Sequence, residues 1–237
     1  MKPTGLFSSI ALTIALLCIP LLIQLERTLP HTWSERLLLP RFEAEVARHT
    51  PRHASGTFLP PVIMASRTLT PADNPILITK QTHISAGATL TLTPGTQVFF
   101  HEFASLIIDG TLQATGTAAA PIYLRTNELH PLNQVWSGMT LTATGSGSLQ
   151  HVQIEDASPG INCVPGSRLT AQELTILRGS MGIFTQSAAC QFADTIINGA
   201  RDGIVASGVA VPVLTGTSRV SGRHSNVTTY TAPLGAL

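Results

Sequence analysis

A glycine followed by an apolar residue recurs along the middle of the chain at an almost constant spacing. The pairs begin at Gly138, Gly160, Gly182 and Gly203, which are 22, 22 and 21 residues apart. A fixed period of this length is typical of a solenoid, in which each period is one supersecondary unit. The residues between the glycines alternate in short apolar and polar runs separated by turn residues, a pattern of strands and not of helices. The period therefore predicts a β-solenoid.

The apolar residues of the period predict one inward-facing ladder. Stacked coils place equivalent residues about 4.8 Å apart and hydrogen-bond through their backbones. The members of the ladder are Met139, Ile161, Ile183 and Ile204. The glycine before each of them is expected at a bend, where a residue without Cβ relieves crowding, and not at a ligand contact.

The same register predicts an ion pair between neighbouring coils. Asp156 and Arg178 each lie four residues before their glycine, so their side chains should stack within ion-pair range. Because this turn is expected to be exposed, the pair should contribute only about 0.2–1 kcal/mol. Its predicted role is structural and not catalytic.

The segment upstream of the glycine period has the same character. Ala88–Thr93 alternates strictly, Pro94-Gly95 is a turn signal, and further short apolar runs follow. The stretches GATLTLTPGTQVFF, ASLIIDGTLQATGTAAAPIYL and WSGMTL resemble the opening coils of right-handed parallel β-helix proteins, the pectin-lyase-like superfamily. The resemblance covers roughly residues 75–220. It implies a fold but no single activity, since this superfamily includes lyases, hydrolases, adhesins and structural domains.

The predicted fold is all-β: a single-stranded right-handed parallel β-helix of about seven coils, preceded by a transmembrane helix and a short juxtamembrane helix. The chain divides into a transmembrane anchor (1–28), a juxtamembrane helical region (29–50), a proline-rich linker (51–75) and the β-helix domain (76–237). Within that domain, residues 127–135 are expected to leave the coil and residues 226–237 to form a cap or a loose tail.

The N-terminal segment favours a retained membrane anchor. Gly5–Leu25 contains 21 residues without a charge, which is long enough to cross the hydrocarbon core of a bilayer. A cleaved signal peptide is the competing interpretation, but Ile23–Arg27 lacks the small residues that cleavage requires. We expect a single-pass protein of the cell membrane with its β-helix on the periplasmic, extracytoplasmic side.

The juxtamembrane region supplies a candidate interaction surface. Its apolar side chains are Trp33, Leu37, Leu38, Leu39 and Phe42. The aromatic ring of Trp33 suits the level of the lipid headgroups. The leucines either pack against the open end of the solenoid or contact another membrane subunit, and the sequence leaves both alternatives open.

The acidic residues of the solenoid lack the pattern of a glycan-cleaving site. Hydrolases on this fold need paired carboxylates that face one cleft, whereas Glu155 and Asp156 are neighbours on a strand and should point to opposite faces. His151 near Glu155 could act as an acid/base pair, although a surface histidine without an orienting partner is more often simply exposed. The weaker, alternative polar site comprises His151, Glu155, Asp156, Arg178, Arg201 and Asp202. No catalytic, cofactor-binding or metal-binding residue is predicted, and no cysteine spacing resembles a zinc site.

The two cysteines of the solenoid are predicted to be free, packed thiols. Cys163 follows its glycine by three residues and Cys190 follows its own by eight. This offset of five extended residues spans roughly 17 Å, which is beyond the reach of a disulfide.

These features predict a non-catalytic, membrane-anchored β-helix that serves as a structural or accessory subunit of a larger membrane-associated complex. Its expected partners are the membrane, through the N-terminal helix, and other membrane-protein subunits. A net charge of +1 gives no large field that would attract nucleic acid. The alternative is a cell-envelope protein that binds polysaccharide or degrades it as a lyase or hydrolase. No cofactor is expected in either case.

Overall fold

The computed structural model describes residues 51–128, 136–208 and 213–230. Their regular structure is almost entirely β, with one short 3-10 helix at Pro71–Asp73. The predictions for the anchor, for the juxtamembrane helix and for Trp33, Leu37, Leu38, Leu39 and Phe42 lie outside these residues. Within the described ranges, no helix is both long enough and apolar enough to span a membrane.

The strands form three parallel sheets, and each turn of the chain adds one strand to each sheet. The first sheet contains β1 (Thr57–Phe58), β4 (Ile76–Ile78), β7 (Gln97–Phe100), β10 (Ile122–Thr126), β13 (Val152–Glu155), β16 (Thr175–Leu177), β19 (Ile196–Asn198) and β22 (Arg219–Ser221). The second contains β2 (Val62–Ile63), β5 (Thr82–Ile84), β8 (Leu106–Ile108), β11 (Met139–Leu141), β14 (Ile161–Cys163), β17 (Met181–Thr185), β20 (Asp202–Ser207) and β23 (Ser225–Tyr230). The third contains β3 (Arg67–Leu69), β6 (Thr89–Leu92), β9 (Thr111–Thr115), β12 (Ser146–Gln150), β15 (Arg168–Gln172), β18 (Cys190–Ala193) and β21 (Val213–Thr215).

Each strand pairs with the strand three places further along the chain, which is the connectivity of a solenoid. The result is an all-β parallel solenoid of the right-handed type with about seven turns. The β-solenoid that the glycine period predicted is therefore confirmed. Alternating side chains of each strand point inward, so the core is a continuous apolar column between the three sheets.

The predicted inward ladder is confirmed. Met139 pairs with Ile161, Ile161 with Ile183, and Ile183 with Ile204. All four side chains are fully buried. The register deduced from the glycine period is therefore the register of the second sheet.

The glycines of the period are needed because neighbouring coils approach closely, and only one of the four sits in a left-handed turn. Gly138 has φ of +70°, a conformation that favours a residue without Cβ. Gly182 lies within strand β17, and a Cβ there would be 2.5 Å from the carbonyl oxygen of Gly203 and 2.6 Å from Cγ2 of Ile197. The prediction of a bend is thus confirmed for Gly138. At Gly182 a glycine is needed for a different reason, because the next coil leaves no room for a Cβ.

The solenoid begins at Thr57, before residue 76, where the sequence predicted its start. Strands β1, β2 and β3 lie within the segment 51–75 that the sequence assigned to an irregular linker, and they pair in parallel with β4, β5 and β6. Pro60 and Pro61 occupy the turn between β1 and β2, and Pro71 begins the 3-10 helix. Prolines are tolerated at these positions because edge strands and turns do not need every backbone N–H.

The start of the 127–135 excursion is part of the packed structure. Asn127 is buried; its side-chain amide donates to the carbonyl of His53 at 2.9 Å and accepts from the His53 N–H at 3.0 Å. Trp136, just after the excursion, stacks on Phe100 and donates its indole N–H to the carbonyl of Glu155 at 2.8 Å. Both ends of the excursion are therefore fixed to the coils.

The prediction that Cys163 and Cys190 are free thiols is wrong, because their sulfurs form a disulfide. Cys163 ends strand β14 of the second sheet and Cys190 begins strand β18 of the third, and both face the interior. The predicted separation was measured along one extended strand. The chain instead turns from one sheet to the next, which brings the two Cα atoms to 6.8 Å across the interior.

Candidate functional site

The six residues of the predicted polar site divide among three groups of contacts. His151 pairs with Glu173, Arg178 pairs with Glu155 and Asp156, and Arg201 pairs with Asp202. His151 is thus oriented by a carboxylate on the next coil and not by Glu155. In the part of the chain that the structure describes, no group of three His, Cys, Asp or Glu side chains is arranged to hold a metal ion.

The predicted pair of Asp156 and Arg178 is present, but it is less exposed than expected. Arg178 Nε donates to Asp156 Oδ1 at 2.6 Å, and Nη2 donates to Asp156 Oδ2 and to Glu155 Oε2, both at 2.8 Å. The Asp156 side chain is only 4% exposed, whereas that of Arg178 is 50% exposed. These hydrogen bonds to Asp156, opposed by burial, raise the pKa of Arg178 above its usual value.

The expectation that Glu155 and Asp156 point to opposite faces is also wrong. Glu155 is the last residue of β13, and Asp156 follows it with φ of +57°. This left-handed residue breaks the strand alternation, so both carboxylates turn towards the same guanidinium. The cluster is accordingly a buried junction between two coils.

We expect Arg178→Met to lower the free energy of unfolding by about 2–4 kcal/mol at pH 7. Removing one partner of a buried pair costs about 3–5 kcal/mol, and the half-exposed guanidinium justifies a smaller figure. The variant leaves two buried carboxylates without a cation. Urea unfolding at pH 7 measures the loss.

The matched control is Arg168→Met, which removes an exposed arginine from β15. It should change the stability by no more than about 0.5 kcal/mol. An Arg178→Met protein as stable as Arg168→Met would show that the cluster contributes nothing.

Arg201 and Asp202 lie at a surface cleft that sequence analysis did not predict. The cleft has a volume of about 450 Å³, within the range of small-molecule sites. It runs over the outer face of the last three strands of the second sheet, β17, β20 and β23. The lining residues are Met181, Phe184, Arg201, Asp202, Val205, His224, Thr228 and Tyr230.

The floor of the cleft is set by the register of these strands. Phe184 pairs with Val205, and Val205 pairs with Thr228. The same outward row is polar on the two preceding coils, where Asn162 donates its side-chain amide to the Thr140 hydroxyl at 3.3 Å. The row therefore changes from polar to apolar where the cleft begins.

The Asp202 carboxylate holds one end of the cleft together. Its Oδ1 is 2.9 Å from His224 Nδ1 and accepts from the Ser225 hydroxyl at 2.9 Å, while Oδ2 accepts from Arg201 Nε at 2.9 Å. Burial favours the neutral acid, but the hydrogen bonds from His224, Arg201 and Ser225 outweigh it and lower the pKa of Asp202. Asp202 is thus a buried anion at neutral pH. It holds the side chains of Arg201 and His224 at the rim of the cleft.

Sequence analysis missed His224, Thr228 and Tyr230 because the apolar period weakens after Ile204. Strand β23 was assigned largely to a cap or loose tail, yet Ser225 pairs with Asp202 and Tyr230 with Ser207. Continuing the period for one more step would have placed this segment on the second sheet.

Comparisons of this chain with protein-family models, with curated proteins and with solved structures find no match.

Proposed function

We propose that this protein is a non-catalytic, membrane-anchored β-helix that serves as a structural or accessory subunit of a larger membrane-associated complex. In this proposal the uncharged N-terminal span retains the chain in the cell membrane and the solenoid stands on the extracytoplasmic side. The resemblance of the opening coils to pectin-lyase-like proteins supports a right-handed β-helix of that superfamily. The membrane and other membrane-protein subunits are the partners.

The observation that carries the proposal is an apolar surface at the first coil. Phe58, Val62 and Met64 are 55%, 46% and 82% exposed, and they are three of the seven large apolar side chains exposed within the described residues. Strands β1, β2 and β3 are also the edge strands of their sheets. An exposed apolar group beside strands that end their sheets, among the strands that the structure describes, favours association with another protein.

The disulfide supports the extracytoplasmic location. Disulfides persist in oxidising compartments and are rare in reducing cytosol. A buried cross-link between Cys163 and Cys190 is consistent with a solenoid that folds after export.

The test is purification of the full chain from membranes in mild detergent, with wild type beside a Phe58→Ser, Val62→Thr, Met64→Gln variant. Wild type should co-purify with other membrane subunits in a fixed ratio, and the variant should lose them. Because the three side chains are exposed, the substitutions should cost little stability. Ile196→Thr with Val227→Thr, which removes exposed apolar groups from the last coils, is the matched control and should retain the partners.

Two results would contradict the proposal. One is a wild-type protein that purifies as a monomer and binds or cleaves acidic glycans. The other is an intact mass that lacks the first ~25 residues, which would show that the N-terminal span is a cleaved signal peptide.

The second candidate function is a cell-envelope protein that binds or degrades polysaccharide. The cleft at Arg201 and Asp202 favours it, since it combines aromatic and charged side chains in one concave surface. A glycan-cleaving activity abolished by Asp156→Asn, with the fold intact, would also move the assignment to this class.

A further inference from the structure

The cleft on the second sheet has a charged end and an apolar body. Arg201 and His224 lie in the turns that precede β20 and β23, so both stand where these strands begin. Val205 lies further along β20, and Tyr230 lies opposite Ser207 at its end. Ser207 lies five residues after Asp202 along the extended strand, which makes the groove about 16 Å long. A ligand along it would meet the charged end, with the exposed edge of Arg201, first and the apolar floor next.

The ion pair with Asp202 holds the Arg201 guanidinium in place but uses only one of its nitrogens, Nε. Asp202 accepts only from Nε, and within the described residues the two terminal nitrogens of Arg201 make no hydrogen bond. The side chain is 63% exposed. Its backbone is fixed on both sides, since its N–H donates to Gly179 and its carbonyl accepts from His224. The outer edge of the guanidinium can therefore form two parallel hydrogen bonds with an incoming carboxylate.

Asp202 makes this arrangement possible and does not itself serve as the ligand-binding group. Its oxygens are already bonded to Arg201, His224 and Ser225. If His224 donates from Nδ1 to Asp202, its Nε2 is left for the cleft. The Arg201 guanidinium and the His224 imidazole thus lie at the same end of the cleft, and Asp202 holds both in place.

We propose that the cleft binds a small carboxylate with an apolar aryl or acyl body. The carboxylate pairs with the outer edge of Arg201, and the body lies over Phe184 and Val205 towards Tyr230. A neutral sugar fits less well, because it has no carboxylate to pair with the exposed edge of the Arg201 guanidinium. This inference does not rest on the proposed subunit role and would survive its failure.

The test uses the full chain in lipid nanodiscs, with empty nanodiscs as the blank, 4-phenylbutyrate as the probe and its uncharged amide, 4-phenylbutanamide, as the matched ligand. Calorimetric titration should show saturable binding of the carboxylate at one site and at least ten-fold weaker binding of the amide. Arg201→Gln should weaken carboxylate binding at least ten-fold and leave the amide unchanged. Arg201→Lys, which keeps the charge without the paired N–H groups, should give an intermediate value.

Further variants separate the role of each part of the cleft. Phe184→Ala should weaken both ligands to a similar extent, because the floor contacts the body that they share. Arg168→Gln, which removes an exposed arginine from the third sheet, should leave both affinities unchanged. Thermal unfolding of each variant establishes that the fold is retained.

Three outcomes would overturn the proposal. The first is no saturable binding of 4-phenylbutyrate to the folded wild-type protein. The second is equal affinity for the carboxylate and the amide, or an Arg201→Gln protein that binds as wild type does. The third is saturable binding of galacturonate without binding of 4-phenylbutyrate, which would assign the cleft to the glycan-binding alternative.

Discussion

Replacing Ile183 with Asp is expected to destabilise the solenoid by about 4 kcal/mol or more and to abolish most of the soluble folded protein. Ile183 is fully buried between Ile161 and Ile204 of the adjacent coils. A carboxylate at this position would lose its hydration without gaining a partner, and isolated buried charges are among the most costly substitutions. Because each coil rests on its neighbours, the damage should spread to the stacking on both sides. Urea unfolding and the yield of soluble protein measure the effect.

Two controls test whether the loss of stability comes from burying a charge, and not from any substitution at Ile183 or from any added carboxylate. Ile183→Val keeps the side chain apolar and should cost about 0.5–1.5 kcal/mol. Thr170→Asp adds the same charge to an exposed, outward position of β15 and should change stability by no more than about 0.5 kcal/mol. An Ile183→Asp protein with the unfolding midpoint of wild type would contradict the inward ladder.

The fold was predictable because one short period encodes both the pairing partner and the facing direction of each strand. A step of 22 residues from Met139 leads to Ile161, a second step of 22 leads to Ile183, and a step of 21 leads to Ile204. A register slip by one residue would turn every inward side chain outward. The apolar alternation therefore excludes every stacking that is shifted by an odd number of residues.

The contacts between different sheets were not predictable in the same way. The period relates residues of one sheet to each other, whereas Cys163 and Cys190 lie on two consecutive sheets that are joined by turns. The geometry of the turn between the sheets decides their distance, and no residue pattern specifies it. The positive φ of Asp156 is a similar case, since it redirects a carboxylate that strand alternation would point away from Arg178.

The cleft was the hardest feature to predict because three successive strands build it and no motif encodes it. Its floor depends on where an outward row changes from Asn162 to Phe184 and Val205. Its charged end depends on a hydrogen bond between Asp202 and His224, which are 22 residues apart. The sequence did single out Arg201 and Asp202, but only as members of the weaker, alternative polar site.

Removing the disulfide by a double Cys163→Ala, Cys190→Ala substitution should lower the free energy of unfolding by about 3–4 kcal/mol. The cross-link closes a loop with a sequence separation of 27 residues, and the lost restriction of the unfolded chain accounts for this magnitude. Urea unfolding with and without dithiothreitol measures it: reductant should destabilise wild type by a similar amount and leave the double variant unchanged. The coils should still stack in the variant, because the apolar ladder and the backbone pairing of the three sheets do not depend on the sulfurs. Thiol labelling of the denatured wild-type protein should gain two labels upon reduction, and an unchanged label count would show that the two cysteines are not cross-linked.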